Sequence, residues 1–150
     1  LSALCFASMQ VVVRLSREQH VAMADSAAVE RYGAGDLMMP AGIVPEAMLF
    51  IIDGQALLTA DAEGGGRTEV DTIQRGSYLG QSALVRHPVA GSYFAIDEVT
   101  VVRVERDAME EVVQGSPVLL QEFGRSIDER RATILRAIAD SGQNDGGASA

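Results

Sequence analysis

Few residues of this chain have the type and spacing that catalysis or metal binding requires. His20 and His87 are the two histidines and form no His-x-His pair, so the usual ligand set of a metalloenzyme is missing. The serines lie in no nucleophile elbow, and Cys5 lies in an apolar segment without an evident base. These observations predict a protein that is not an enzyme and that uses no cofactor or metal.

A run of three glycines is the next candidate, because glycine-rich loops can bind phosphate groups. Gly64-Gly65-Gly66 is followed neither by Gly-Lys-Ser/Thr nor by a helical pattern, and a phosphate-binding loop needs both. We therefore expect residues 61–67 to form a flexible hairpin tip.

The composition limits the partners and the compartment. The net charge is −9 at pH 7, so the chain would repel a nucleic-acid backbone. A single cysteine cannot form an internal disulfide, which favours the cytoplasm. All 12 basic residues are arginines, and together with abundant Ala, Gly and Val this bias is typical of high-GC bacteria. The apolar opening 1–13 is shorter than the roughly 20 residues of a membrane-spanning helix.

The middle of the chain has the pattern of an all-β roll or sandwich. Short apolar runs alternate with glycine-containing turns about every 8–12 residues. Asp53-Gly54 separates two of these runs and predicts a tight hairpin turn. The predicted strands are 29–32, 37–39, 48–52, 55–60, 68–73, 92–96 and 99–104.

A short helix is predicted before the strands. Residues 16–19 (Ser-Arg-Glu-Gln) have the form of a capping box, so a helix should begin there and end near Ala27. Residues 1–14 are interpreted as a linker or the remnant of an upstream region. Because the chain starts at Leu1 and not at Met, we expect it to be a fragment of a longer protein.

Two helices are predicted after the last strand. The first spans 106–114, and the second starts at Pro117 with Ser116 as its N-cap. The second helix should end near Ala139, and residues 140–150 are small, polar and Gly-rich, so we expect a disordered tail. Its apolar stripe is Leu120, Phe123, Ile127 and Ile134, and it is interrupted by Arg130 and Arg131.

Three segments resemble the motifs of a single domain family. Residues 32–37 (Tyr-Gly-Ala-Gly-Asp-Leu), followed by Gly42, resemble an aromatic-x-x-Gly-Glu-apolar stretch and the next glycine of that family. Residues 49–54 are similar to its aromatic strand that ends on an acidic-Gly turn. Residues 75–84, followed by Pro88, resemble its Gly-Asp-x-Phe-Gly-Glu-x-Ala-Leu segment with the following proline. The family that the chain resembles in all three segments is the cyclic-nucleotide-binding domain family.

The resemblance covers residues 15–139 and implies the fold. That fold is mainly β with flanking α: an antiparallel β-roll of the double-stranded β-helix or jelly-roll type, with one N-terminal helix and two C-terminal helices.

The resemblance also implies a ligand site, the phosphate-binding cassette. In the family the cassette amides hold the cyclic phosphate, a glutamate binds the ribose and an arginine neutralises the phosphate. Gln81 stands at the glutamate position and Val89 at the arginine position, which weakens the expected binding of cAMP or cGMP. Arg86 and His87 are either substitute cations or solvated loop residues. The candidate binding residues are Gly80, Gln81, Ser82, Ala83, Leu84, Arg86, Val89, Ala90 and Gly91.

Two functions are compatible with this pattern. The first is a regulatory sensor that binds a cyclic nucleotide, or another small anion, weakly and controls an effector upstream of Leu1, such as a membrane channel or a transporter. The domain would then be cytoplasmic, or the cytosolic part of a membrane protein. The alternative is a degenerate module that binds no nucleotide and serves protein contact or homodimerisation through the C-terminal helix. A DNA-binding regulator would need a helix-turn-helix that the chain does not show.

Overall fold

The computed structural model describes residues 24–62 and 64–148, with side chains described up to residue 141. From residue 27 on, the described part of the chain has eight strands followed by two α-helices, and a 3₁₀ helix separates the sixth and seventh strands. The strands are β1 (Ala27–Tyr32), β2 (Leu37–Met39), β3 (Ala47–Asp53), β4 (Ala56–Asp61), β5 (Arg67–Ile73), β6 (Tyr78–Leu79), β7 (Ser92–Ala95) and β8 (Val99–Glu105). The helices are the 3₁₀ helix Gln81–Val85, α1 (Arg106–Gln114) and α2 (Pro117–Ala148).

The strands form two four-stranded antiparallel sheets that make a roll. Their orders are β1-β8-β3-β6 and β2-β7-β4-β5. These sheets and the two helices after them confirm the predicted β-roll with C-terminal helices.

The middle of the first sheet is buried on both faces at β3, which explains why β3 is a continuous apolar run from residue 47 to residue 52. Side chains alternate between the two faces of a strand. Leu49 and Ile51 of β3 therefore point to the core between the sheets, whereas Met48 and Phe50 point to a second core that α1 and the start of α2 cover. Phe123 of α2 is fully buried in this second core.

The turn at Asp53-Gly54 is present, but the predicted hairpin is wrong. β3 pairs with β6 and β8 in one sheet, and β4 pairs with β5 and β7 in the other. The turn therefore carries the chain from sheet to sheet, with Gly54 at φ 83°. The triple-glycine segment does join a hairpin, in which Asp61 is opposite Arg67.

The structure changes the predicted helix ends and adds one strand. β6 is only two residues long and was not predicted. Of the predicted N-terminal helix, residues 24 and 25 are helical, residue 26 is a turn and β1 begins at Ala27, so the helix ends two residues before the predicted end. The other residues of that helix, 16–23, lie outside the described residues, as does linker 1–14.

At the other end, α2 is helical to Ala148, beyond the predicted end and where disorder was expected, because extending an existing helix needs no new nucleus. Within residues 24–62 and 64–148, neither helix combines the length and hydropathy that crossing a bilayer requires.

Candidate ligand-binding site

The segment after β6 is held in place by a close backbone approach. Gly80 has φ 87°, and a Cβ atom there would lie 2.7 Å from the carbonyl oxygen of Ala47 and 2.9 Å from Cε of Met39. The 3₁₀ helix that follows is closed by hydrogen bonds from the Ala83 amide to the Gly80 carbonyl (3.0 Å) and from the His87 amide to the Ser82 carbonyl (3.1 Å). Only glycine fits at position 80 without strain.

A cleft opens between this segment and helix α2, and we call it the α2 cleft. Its volume is about 40 Å³, far below the roughly 300 Å³ of the smallest usual ligand pockets. The roll contributes Gly80, Gln81, Ser82, Pro88, Val89, Ala90 and Tyr93, and α2 contributes Ile127, Arg130, Arg131 and Ile134. In this arrangement the cleft therefore cannot enclose a ligand larger than a few water molecules.

The chain was compared with known protein families and with solved structures. The sequence model of the cyclic nucleotide-binding domain matches residues 29–116, more than half of the chain. The chain belongs to the cyclic nucleotide-binding domain family. No curated protein matches it.

Several solved structures share the fold of this cyclic nucleotide-binding domain. The regulatory domain of Toxoplasma gondii PKA with cAMP has a TM-score of 0.76 at 19% identity, over 85% of this chain and 48% of its own. The regulatory subunit of a cAMP-independent protein kinase A from Trypanosoma cruzi, bound to guanosine, has 0.71 at 19% identity, over 77% and 41%. The chain thus spans about half the length of these two or less.

A third similar structure is nearer in length. The sensor domain of the transcriptional regulator DNR from Pseudomonas aeruginosa has a TM-score of 0.72 at 13% identity, and the match covers 85% of this chain and 86% of that one. Because these identities are low, the likeness establishes the fold alone.

Arg130 of α2 is the central polar group of the α2 cleft. Its Nη1 donates to the carbonyl oxygen of Tyr78 (2.7 Å) and to Oε1 of Gln81 (3.1 Å). Its guanidinium carbon lies 5.9 Å from the ring centroids of both Tyr78 and Tyr93, within the range of cation–π attraction. The side-chain oxygen of the buried Gln81 thus accepts a hydrogen bond from an arginine of the helix.

Both tyrosines beside Arg130 stay neutral at physiological pH. Burial raises the pKa of Tyr78 and the pKa of Tyr93 above the ordinary tyrosine value, and the nearby Arg130 charge offsets only part of this shift. The cleft therefore carries the positive charge of Arg130 without an opposing phenolate.

Val89 occupies the position of the family's arginine as part of the apolar core. It is 7% exposed, and its backbone is fixed by hydrogen bonds with Gly42 and Ile43. Ser82 also lines the cleft, and its Oγ is buried without a hydrogen-bond partner. The roll side of the cleft thus combines an apolar residue with a hydroxyl that makes no hydrogen bond.

The remaining candidate residues do not line the α2 cleft. Ala83 is fully buried, and Leu84 packs against the core under α1. Gly91 faces β4, because a Cβ there would lie 2.4 Å from the Thr59 carbonyl oxygen. Arg86 is turned away: its side chain is 60% exposed and donates to Glu110 of α1 (3.1 Å).

The structure therefore brings together Gly80, Gln81, Ser82, Val89 and Ala90 of the predicted set. Sequence reasoning missed Tyr93, Arg130 and Arg131 as residues of the site. A signal was present, since two adjacent arginines interrupt the apolar stripe of α2. The stripe alone could not show that this face of the helix covers the cassette.

Proposed function

We propose that this domain is a non-catalytic sensor whose α2 cleft binds a cyclic nucleotide, cAMP or cGMP, weakly, and that binding moves α2 and so controls an attached effector. The main support is that α2 forms one wall of the cleft while the cassette segment forms the other. Because the cleft encloses only about 40 Å³, we expect a nucleotide to enter it as α2 moves away from the roll. An effector upstream, whether a channel or a transporter, is part of this proposal.

Affinity should be low for two reasons. Gln81 offers a ribose hydroxyl a neutral acceptor, and that acceptor already binds Arg130. Displacing α2 also costs its apolar contacts, including the buried Ile134. We therefore expect dissociation constants well above those of a domain with a complete cassette.

The test is calorimetry with cAMP and cGMP, together with a charge placed at the mouth of the cleft. Ala90 lines the cleft and is exposed, so Ala90→Glu should repel a cyclic phosphate and abolish binding. Ala34→Glu, at an exposed position outside the cleft, is the matched control and should bind as the unaltered protein does. Absence of heat and of any thermal shift at millimolar nucleotide would refute the proposal.

A second candidate function is homodimerisation through α2. Phe123 and Ile134 of the predicted stripe are buried inside the chain. Up to residue 141, the exposed large apolar residues of the helix are Val118, Leu120 and Leu135. Sedimentation of the unaltered protein beside Leu120→Glu and Leu135→Glu tests this function. A dimer lost in both variants supports it, and a monomer throughout refutes it.

A further inference from the structure

We propose that Arg130, which α2 carries, recognises the anionic group of the ligand in place of the cassette arginine that Val89 replaces. The inference rests on the proposed nucleotide-binding function, and it names the residue that determines whether a charged ligand is preferred to an uncharged one.

The first observation is that Arg130 is a half-buried cation without a carboxylate partner. Its acceptors are neutral oxygens of Tyr78 and Gln81, and no ion pair found in the described part of the chain includes it. Arg125, on the same helix, is instead bound by both Glu122 and Glu129. A partly desolvated guanidinium without a counter-charge has a strong electrostatic preference for an anion.

The second observation explains why glutamine stands at position 81. A glutamate at this place would put a carboxylate about 3 Å from Arg130 Nη1, and the resulting ion pair would cancel the charge. Gln81 keeps the hydrogen bond and leaves the cation uncompensated. The two departures from the family's cassette, Gln81 and Val89, are therefore linked. Val89 removes the arginine from the roll side of the cleft, and the neutral amide of Gln81 leaves the charge of Arg130 on α2 available to a ligand.

The third observation is the unpartnered hydroxyl of Ser82. Its Oγ is buried, lines the same cleft as Arg130 and has no hydrogen-bond partner. A buried hydroxyl normally has one, because an unmade bond costs free energy. A phosphate oxygen between the Ser82 hydroxyl and the Arg130 guanidinium would accept from both.

Two other arginines could compete with Arg130. Arg131 also lines the α2 cleft, but it is exposed, so water and salt screen its charge more than that of the half-buried Arg130. Arg86 is excluded by its position. Arg86 precedes the cassette proline, but it lies outside the α2 cleft and pairs with Glu110. Bringing it to the cleft would break that pair and change a backbone held at φ 55°.

Anion recognition by Arg130 couples the ligand to the helix. When the guanidinium binds a phosphate, its hydrogen bonds to the Tyr78 carbonyl and to Gln81 Oε1 break. Gln81 Oε1 can then accept a hydrogen bond from a ribose hydroxyl. Because Arg130 belongs to α2, losing these two hydrogen bonds also removes polar contacts that hold the helix to the roll. The negative charge of the ligand thus acts on α2 through Arg130.

The experiment measures the affinities of cAMP and adenosine for the same proteins, because adenosine lacks the phosphate. The unaltered domain should prefer cAMP, and the preference should fall as salt is raised. Arg130→Gln should lower the ratio of cAMP affinity to adenosine affinity about 10- to 100-fold, as expected for a lost charge-assisted contact to the phosphate. Adding Val89→Arg to that variant should restore the preference.

Two matched variants separate Arg130 from other arginines. Arg136→Gln, an exposed arginine of the same helix outside the cleft, should leave both affinities unchanged. Arg86→Gln should also leave them unchanged. Loss of the cAMP preference in Arg86→Gln but not in Arg130→Gln would overturn the inference. If Arg130→Gln does not fold, Arg130→Lys keeps the charge and must retain part of the preference.

The outcomes also separate this inference from the function on which it rests. If cAMP and adenosine bind equally and Arg130→Gln changes neither affinity, the α2 cleft is a nucleoside site and the role of Arg130 is refuted. If neither compound binds the unaltered domain, the proposed function and the inference both fall.

Discussion

Replacing Gly80 by alanine should destabilise the domain more than the same change at Gly76, although both glycines have nearly the same backbone angle. Their φ values are 87° and 90°. A Cβ atom at Gly76 would meet nothing within 4 Å, whereas one at Gly80 would lie 2.7 Å from the Ala47 carbonyl oxygen. The pair separates the cost of the left-handed conformation from the cost of a close backbone approach.

The expected magnitudes follow from this difference. An L-residue in the left-handed region costs about 1–2 kcal/mol, and this is the whole expected loss for Gly76→Ala. Gly80→Ala adds an overlap with backbone, which cannot move as a flexible side chain can, and overpacking of this kind costs about 1–3 kcal/mol more. We therefore expect a total of about 2–5 kcal/mol for Gly80→Ala.

Urea unfolding of the two variants and the unaltered domain measures these losses. The midpoint should fall in both variants, and more in Gly80→Ala, with unchanged slopes. In a thermal scan each kcal/mol should lower Tm by about 2–4 °C for a domain of this size. Equal losses in the two variants would refute the reasoning, because the approach to Ala47 would then carry no energy.

Two further predictions concern the core and the tyrosines. Phe123→Ala should cost about 3–5 kcal/mol, because its ring is fully buried and meets Tyr78 edge-on at 5.2 Å, whereas Leu120→Ala on the exposed face should stay within about 0.5 kcal/mol; urea midpoints compare them. Burial and the carboxylate of Glu30 raise the pKa of Tyr32 to about 12, above its ordinary value of 10.0, so its contribution to stability should be complete below pH 10 and be lost as pH rises towards 12. Tyr32→Phe should remove this part of the alkaline loss in unfolding curves measured across that range, and an identical loss in the variant would contradict the assignment.

Local chemistry made much of the fold predictable from sequence. Glycines interrupting short apolar runs mark the strands of the roll, and seven of the eight strands were predicted, all except β6. Ser116 was predicted as the cap of α2, and its Oγ accepts from the Leu119 amide at 3.3 Å. These features depend on residues a few positions apart, so a local pattern contains the information.

Local sequence patterns did not indicate which strands pair across the roll. Asp53-Gly54 predicts a turn in either case, but its neighbouring strands joined different sheets because β8 and β7 offered them partners. β6 has only two residues, too few for a periodic signal, and exists because β3 pairs with it.

The sequence by itself determined the family and the order of seven strands and the two helices that follow them, and it predicts a cassette segment that begins at Gly80. Only the tertiary structure decided that Arg130 lies against Gln81 and that Arg86 does not. Arg130 and Gln81 are 49 positions apart, and what joins them is the apolar stripe of α2 packing on the roll. That packing is non-directional and depends on buried area, so it places a charged side chain without leaving a motif around it.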